Sequence, residues 1–420
     1  MDSLARAKPR WHALGRWAAL VATCIAAGGC LGPQAVSHTR IRYNEVFRST
    51  NDQQLLLNIV RLRYADSPVF IDLPNITSQF EASGLGNYNG GYGYQFRGPT
   101  SLGFGQLSLR DTPTLSYHPR EGKEIARALL TPLSAELLQV LRTGTTLEQF
   151  YLMAVKEIND VPNASLSTQL TPVAPDDNIT FRYCVQLLKA LRQRGAVELG
   201  IATTEESGDS SDPIPTQQVQ GRDVLNAAKD SYVFRIAPGS NRATLLKRER
   251  GLVLRVRPEF HYSPEGQELA RLLRLTPGLA KYKMKSEQAL EAEEDEMRTI
   301  RDTIYLNMRS VLEIAIFLSK GVCVPEEHVR HGIVPTTPGP DGRPYDWSQV
   351  TAGLFCVRAQ RHRPCNAEVA VKYRGYWFYI APDDVNSRAV LTIFEILFSL
   401  QESDGKQIGP LLTLPLGGGG

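Results

Sequence analysis

A chain of 420 residues, 42% apolar and 22% charged, is long enough for two or three compact domains and has the makeup of an ordinary globular protein. Lys and Arg number 47 against 44 Asp and Glu, so the formal charge is only +3. That balance excludes the bulk basic field with which proteins hold nucleic acid.

The chain opens on a basic leader, Arg6, Lys8, Arg10 and Arg16, followed by an apolar run over residues 17–27 and by Ala27-Gly28-Gly29-Cys30. This pattern resembles a bacterial lipoprotein signal, with Ala27 where such motifs more often carry leucine. The resemblance implies that residues 1–29 are removed and that Cys30 becomes the first residue of the mature chain, carrying acyl chains such as palmitate. Leu31 in place of an aspartate after the cysteine resembles the sorting signal for the outer membrane, which implies a lipid anchor on its periplasmic face. A plain secretory signal cleaved nearby is the simpler rival. A permanent span is disfavoured, because the apolar run falls short of the ~20 residues that cross a bilayer.

Residues 30–50 are polar and without periodicity, as a tether would be. Thr50-Asn51-Asp52-Gln53 has the pattern of a capping box and predicts a helix over QLLLNIVRLRY. In it Leu55, Ile59 and Leu62 form one stripe, Leu56 and Val60 widen it, and Asn58, Arg61 and Arg63 face outward. Residues 69–117 then read as strands around a glycine- and aromatic-rich centre, GLGNYNGGYGYQFRGPTSLGFGQLSLR. Tyr92, Tyr94 and Phe96, and again Leu102 and Phe104, recur at spacing two, which puts each set on one face of a strand. Three readings compete: a mobile surface loop, a phosphate-cradling loop that misses the G-x-G-x-x-G spacing by one residue, and an extended hairpin that enters a membrane or pairs with neighbouring copies. Short helices follow, the third opened by Thr145-Thr146-Leu147-Glu148 with Leu147, Phe150, Ala154 and Ile158 as its buried stripe. Residues 51–175 are therefore a helix and β-hairpin domain, ending in a proline-rich linker.

Residues 176–280 read as an α+β domain, with a helix to Arg194, the strand AVELGIA, a helix near Arg222 and three further strands, the last two joined through Arg250-Gly251. Helices with basic strands would suit a winged-helix DNA reader, but the export signal favours a sheet with one solvated face. The heavily charged residues 281–302 read as a linker or solvated helix. Residues 303–420 alternate strand, helix, strands, helix and strand, a C-terminal α+β domain in which Arg374-Gly375 turns AEVAVKY into YWFYI. The whole is predicted to be α+β: a helical segment with a long Gly/aromatic-rich hairpin, then α+β units with mixed or antiparallel sheets.

With Cys24 in the leader and Cys30 acylated, Cys184, Cys323, Cys356 and Cys365 remain. Cys356 and Cys365 flank VRAQRHRP between strand-like segments, so either they form a disulfide across a hairpin or all four are free thiols. Cys323, Glu326, Glu327, His328 and His331 crowd together but lack a second ligand pair, and no metal or other cofactor is expected. Asp383 and Asp384 are a carboxylate pair that would suit a glycosidase, and more simply a helix N-terminus. Tyr373, Arg374, Tyr376, Trp377 and Tyr379 would make a carbohydrate-binding surface only if most faced solvent. No G-x-S-x-G elbow, Walker loop or HExxH helix is present.

QLLLNIVRLRY, TPTLSYHP, LLTPLSAELL, SVLEIAIFLSKGV, VAVKYRGYWFYI and LLTLPL together resemble a family of predicted envelope lipoproteins of Gram-negative-type bacteria, over about residues 51–416. The resemblance carries no catalytic or binding residue onto this chain; it implies one envelope protein and not a fusion of unrelated parts. The expectation is a non-enzymatic, lipid-anchored protein of assembly, scaffolding or export, self-associating or bound to an envelope partner, with an envelope hydrolase acting on glycan or peptide as the alternative.

Overall fold

The computed structural model describes residues 31–90, 101–119, 123–140, 147–168, 173–175, 178–207, 213–236, 239–286 and 301–403. Its first element is α1, Leu31–Arg63, which runs straight through the stretch expected to be a tether. The reason is local: Pro33 sits in the first turn, where its missing N–H costs nothing, and no proline or glycine interrupts residues 34–63. Thr50 does not cap. Its hydroxyl donates to the Phe47 carbonyl at 2.9 Å, one turn back in a continuing helix. Among the side chains described, from Ile41 on, α1 is buried in its second half, through Leu55, Leu56, Ile59, Val60 and Leu62. At roughly 1.5–3 kcal/mol for each fully buried aliphatic side chain, that half is held by packing rather than by propensity. Asn58 corrects the sequence reading, for it is 2% exposed and faces inward.

After α1 the chain forms two long strands, β1 (Ile71–Gly90) and β2 (Ser101–Pro119), paired antiparallel from Ile71 opposite Pro119 to Gly90 opposite Ser101. The one irregularity lies between Asp72 and Asn75, where Pro74 has no N–H to give to a ladder. Among the described residues these two strands pair only with each other.

The chain then enters the packed body through α2 (Lys123–Leu130) and α3 (Leu147–Ala154), and α3 gives way without a loop to β3 (Val155–Ile158) and β4 (Val161–Pro162). The helix whose stripe was expected to run to Ile158 is therefore cut short after Ala154. Arg309, fully buried, explains the ending. Its guanidinium donates to the carbonyls of Met153 (2.8 Å), Val155 (3.2 Å), Leu152 (3.3 Å) and Asn163 (2.5 Å), and lies 4.1 Å from the centroid of Phe317. A cation on the last carbonyls of a helix is favoured by the helix dipole and satisfies acceptors that have no partner within the helix. Burial pulls Arg309 down to about 9, which leaves it charged at neutral pH.

Next come α4 (Ile179–Gln193), β5 (Val197–Ser207), β6 (Ile214–Pro215), α5 (Gly221–Lys229), β7 (Tyr232–Ile236), β8 (Arg242–Val256) and α6 (Pro264–Leu272). β8 is a single strand of 15 residues that passes through Arg250-Gly251 without turning, Gly251 pairing with Ala202. The chain continues with β9 (Lys281–Ser286), β10 (Thr303–Met308), α7 (Val311–Ser319), α8 (Glu326–Arg330), β11 (Arg358–Gln360), β12 (Val369–Tyr373), β13 (Tyr376–Ile380) and α9 (Val385–Ser403). β9 corrects the expectation of a charged linker at its first residues: Tyr282 and Met284 are buried while lysines alternate with them.

The main sheet runs β4-β3-β10-β9-β8-β5, with β6 and β7 also on β8. Only β9 and β10 are parallel; the other pairs are antiparallel. A second, antiparallel sheet has the order β11-β13-β12. The fold is α+β with mixed and antiparallel sheets. One apolar core joins α1, α3, α4, α7 and α9 to both sheets, so stretches that the sequence reading separated at residues 175 and 281 share a sheet and a core. Arg374 (φ 44°) and Gly375 (φ 86°) make the tight turn between β12 and β13, as their order in the sequence predicts.

Candidate functional site

Two places on this fold carry features that core packing does not account for: the long hairpin, and a polar seam where the end of α1 meets the small sheet. The hairpin grows from a fixed base. Asn58 of α1 clamps the segment entering it, its amide donating to the Val69 carbonyl at 2.9 Å and accepting from the Val69 N–H at 3.0 Å. Phe70 is buried and stacks on Phe398 of α9, with ring centroids 4.9 Å apart and planes at 23°. Two-way amide pairing plus an aromatic stack fixes the direction in which β1 leaves the body. The stretch of α1 around Ile41 and Val46 stands clear of the core, both side chains being about 60% exposed.

The seam begins where Ala65, at φ 58°, ends α1 in the left-handed region. Tyr64, buried beside it, makes a 2.7 Å hydrogen bond to Nδ1 of His328 on α8, and its ring meets Tyr373 and Phe378 edge-on. Burial pushes the Tyr64 phenol up to about 12, so it remains a donor. Asp66 accepts from the hydroxyl of Tyr373 and, at 2.8 Å, from Arg374. These hydrogen bonds, Tyr373's first, hold its carboxyl below the usual carboxylate range. On the other flank Glu327 accepts from Tyr376 at 2.7 Å and from Arg361 at 2.7 Å, and the same two partners, Tyr376 first, lower its affinity for a proton. Of the residues proposed from sequence as a carbohydrate surface, Tyr373, Arg374 and Tyr376 are thus engaged in joining α1, α8 and the small sheet, while the ring centroid of Trp377 lies 5.4 Å from the guanidinium of Arg363.

Beneath the seam lies Lys320, 6% exposed, with its ammonium 5.5 Å from the ring centroid of Trp347. Burial, and then the charge of Arg63, pull it down to about 7. Close by, Cys323 and Cys356 belong to neighbouring segments joined by the bridge between Val322 and Val357. The influence of each thiol on the other is the largest on both, lowering Cys356 to about 6 and raising Cys323.

The residues singled out from sequence fare as follows. Cys30, Tyr92, Tyr94 and Phe96 lie outside the described residues. Leu102 and Phe104 are in β2, in register with Asn89 and Asn87. The disulfide between Cys356 and Cys365 is not formed: both thiols are free, and Cys356 turns to Cys323 instead. The backbone explains this choice, since the Cys323 N–H is bonded to the Val357 carbonyl at 2.8 Å, while Cys365 sits at an exposed turn between β11 and β12. His328 is committed to Tyr64, and Nδ1 of His331 to the Glu327 carbonyl at 2.6 Å. No group of three or more metal-binding side chains stands together among the described residues. Asp384 caps α9, accepting from the N–H (3.0 Å) and hydroxyl (2.6 Å) of Ser387. A hollow of about 400 Å³ between α3, α4 and the sheet is lined by Leu147, Tyr151, Val185, Leu188 and Leu254, and its acid, Glu148, is paired with Lys189 at 2.5 Å. Among its described lining residues that is one carboxylate, where glycoside hydrolysis needs two.

Sequence reasoning placed Asn58 on the wrong face and passed over Arg309 and the pairing of Cys323 with Cys356. A polar residue inside an apolar stripe was the available signal for Asn58; the others depend on contacts between segments remote in sequence. No family model, curated protein or solved structure matches this chain. Among the described residues, no helix is long and apolar enough to cross a membrane.

Proposed function

We propose that this protein is a lipid-anchored envelope component, tethered through Cys30 to the periplasmic face of the outer membrane, that assembles with copies of itself or an envelope partner in a structural or export-accessory role. One observation carries the reading. The hairpin of 20- and 19-residue strands pairs only with itself among the described residues, yet its base is fixed to the core by Asn58 and Phe70. At about 3.4 Å per residue it reaches roughly 60 Å, far longer than most strands.

A lone two-stranded ribbon is marginal in water, and each of its outer edges offers unpaired N–H and C=O groups to another strand. Neighbouring copies would supply those strands and close the edges, and ~9 to 11 residues per strand suffice for a barrel crossing. The stretch of α1 that carries exposed Ile41 and Val46 gives the assembly its connection to the anchor.

The test is to delete residues 84–105 from the full-length protein and compare membrane pelleting and particle size with the parent. Loss of the large species while the core stays folded supports the reading. Unchanged size and unchanged membrane association contradict it.

A further inference from the structure

The sequence separates Ser319-Lys320-Gly321-Val322-Cys323, at the end of α7, from Leu354-Phe355-Cys356-Val357-Arg358, at the start of β11. The fold lays them side by side. Val322 and Val357 form a parallel bridge; the Val357 N–H donates to the Gly321 carbonyl at 3.0 Å and the Cys323 N–H to the Val357 carbonyl at 2.8 Å. Glycine is required for that approach, because a Cβ on Gly321 would stand 2.4 Å from the carbonyl oxygen of Phe355. The Cys356 N–H is held in turn by the Ser387 hydroxyl at 2.8 Å, and that hydroxyl by Asp384. Both cysteine backbones are therefore fixed in adjoining segments, with Cys323 open to solvent.

We infer that Cys323 and Cys356 form a dithiol site that is oxidised to an intramolecular disulfide by exchange with a disulfide-bearing oxidant. Cys356 is the attacking sulfur, since the adjoining Cys323 favours its thiolate. Its thiolate attacks one sulfur of the oxidant's disulfide; that S–S bond breaks, a mixed disulfide forms and the first thiol of the oxidant leaves. Cys323 then gives its proton to solvent, and its sulfur attacks Cys356. The mixed disulfide breaks and the second thiol departs. In sum, two protein thiols lose two electrons and two protons, and the oxidant's disulfide becomes two thiols.

The product bond closes the segment that carries α8, and with it the His328 side of the polar seam, onto the base of α9. Oxidation fixes the loop while leaving the hairpin untouched, so the inference does not depend on assembly.

The test uses the reduced full-length protein, treated with oxidised glutathione, then alkylated and digested for peptide mapping. The expected result is a peptide linking Cys323 to Cys356, with Cys365 alkylated throughout and buried Cys184 alkylated only after denaturation. Alkylation of both Cys323 and Cys356 after the oxidant, a link from Cys356 to Cys365, or a stable glutathione adduct on Cys356 would each overturn the assignment. Melting supplies a second readout: oxidation raises the midpoint by roughly 5–10 °C in the parent and in Cys365→Ser. Cys323→Ser and Cys356→Ser lose that rise, and an equal rise in either variant overturns the inference.

Discussion

The hairpin and the packed body handle polar backbone in opposite ways. In the body, even awkward groups are answered from within: the carbonyls at the end of α3 meet the Arg309 guanidinium, and Val69 meets Asn58. In the hairpin each strand has one partner, and the groups on its outer edges have none among the described residues. A chain that answers the backbone of one region from within, leaving few buried polar atoms such as Arg309 Nε unpartnered, and leaves long edges in another is organised for two tasks, one to fold and one to join. Substitutions in the body should therefore change stability without changing assembly, and those in the hairpin the reverse.

The strongest way to break that contrast is Arg309→Ala. It strips several buried carbonyls of their donor and leaves a void, so unfolding free energy should fall by about 3–5 kcal/mol. Urea titration checks this, and the fraction still folded should keep the parent's particle size. Gly321→Ala forces apart the turn after α7 and the segment before β11, at a cost of about 1–3 kcal/mol in the same titration. Lys320→Met should stabilise the protein near and below neutral pH. The sign follows from Lys320's lowered value of about 7: between there and the ordinary lysine value the unfolded chain binds the extra proton, so the parent gains stability as pH rises. The stabilising effect of Lys320→Met should accordingly shrink between pH 7 and pH 10, the window set by these two values.

The smallest effect is expected at the surface of the seam. Asp66 titrates below the usual carboxylate value in the folded state, so its hydrogen bonds stabilise above about pH 4 and are lost as pH falls through the folded value. Because that carboxylate is 37% exposed, Asp66→Asn should cost only about 0.2–1 kcal/mol at neutral pH and nothing in acid. Comparison of melting midpoints at the two pH values decides it.

How much of this was legible in the sequence depends on the range of the interaction. The stripe of Leu55, Ile59 and Leu62 and the turn at Arg374-Gly375 are local patterns, and they read correctly. The Ser310-Val311-Leu312-Glu313 box that opens α7 was equally local and was passed over; the Ser310 N–H donates to Glu313 at 2.8 Å and its hydroxyl accepts from the Glu313 N–H at 3.2 Å. The α+β class was readable from the alternation of periods.

What local patterns could not settle was decided by partners far along the chain. β9 looked like the start of a charged linker because its lysines outnumber its apolar residues, but Tyr282 and Met284 are buried against the sheet, and of the lysines only Lys281 is exposed, Lys283 pairing with Asp302 at 3.6 Å. β8 reads as two strands broken at a glycine until β5 is seen to pair along that stretch. At the candidate site the same limit applied. Cys356 and Cys365 are neighbours in sequence, while the thiol that Cys356 meets comes from another segment, across a glycine whose need is invisible until Phe355 is placed beside it.

The most direct test of the account is the mass and shape of the lipidated, detergent-extracted protein, by light scattering together with negative-stain imaging. Assembly through the hairpin edges predicts a closed multi-subunit particle, or a stoichiometric complex with an envelope protein, that is lost when residues 84–105 are removed. A monodisperse monomer with no copurifying partner would contradict it.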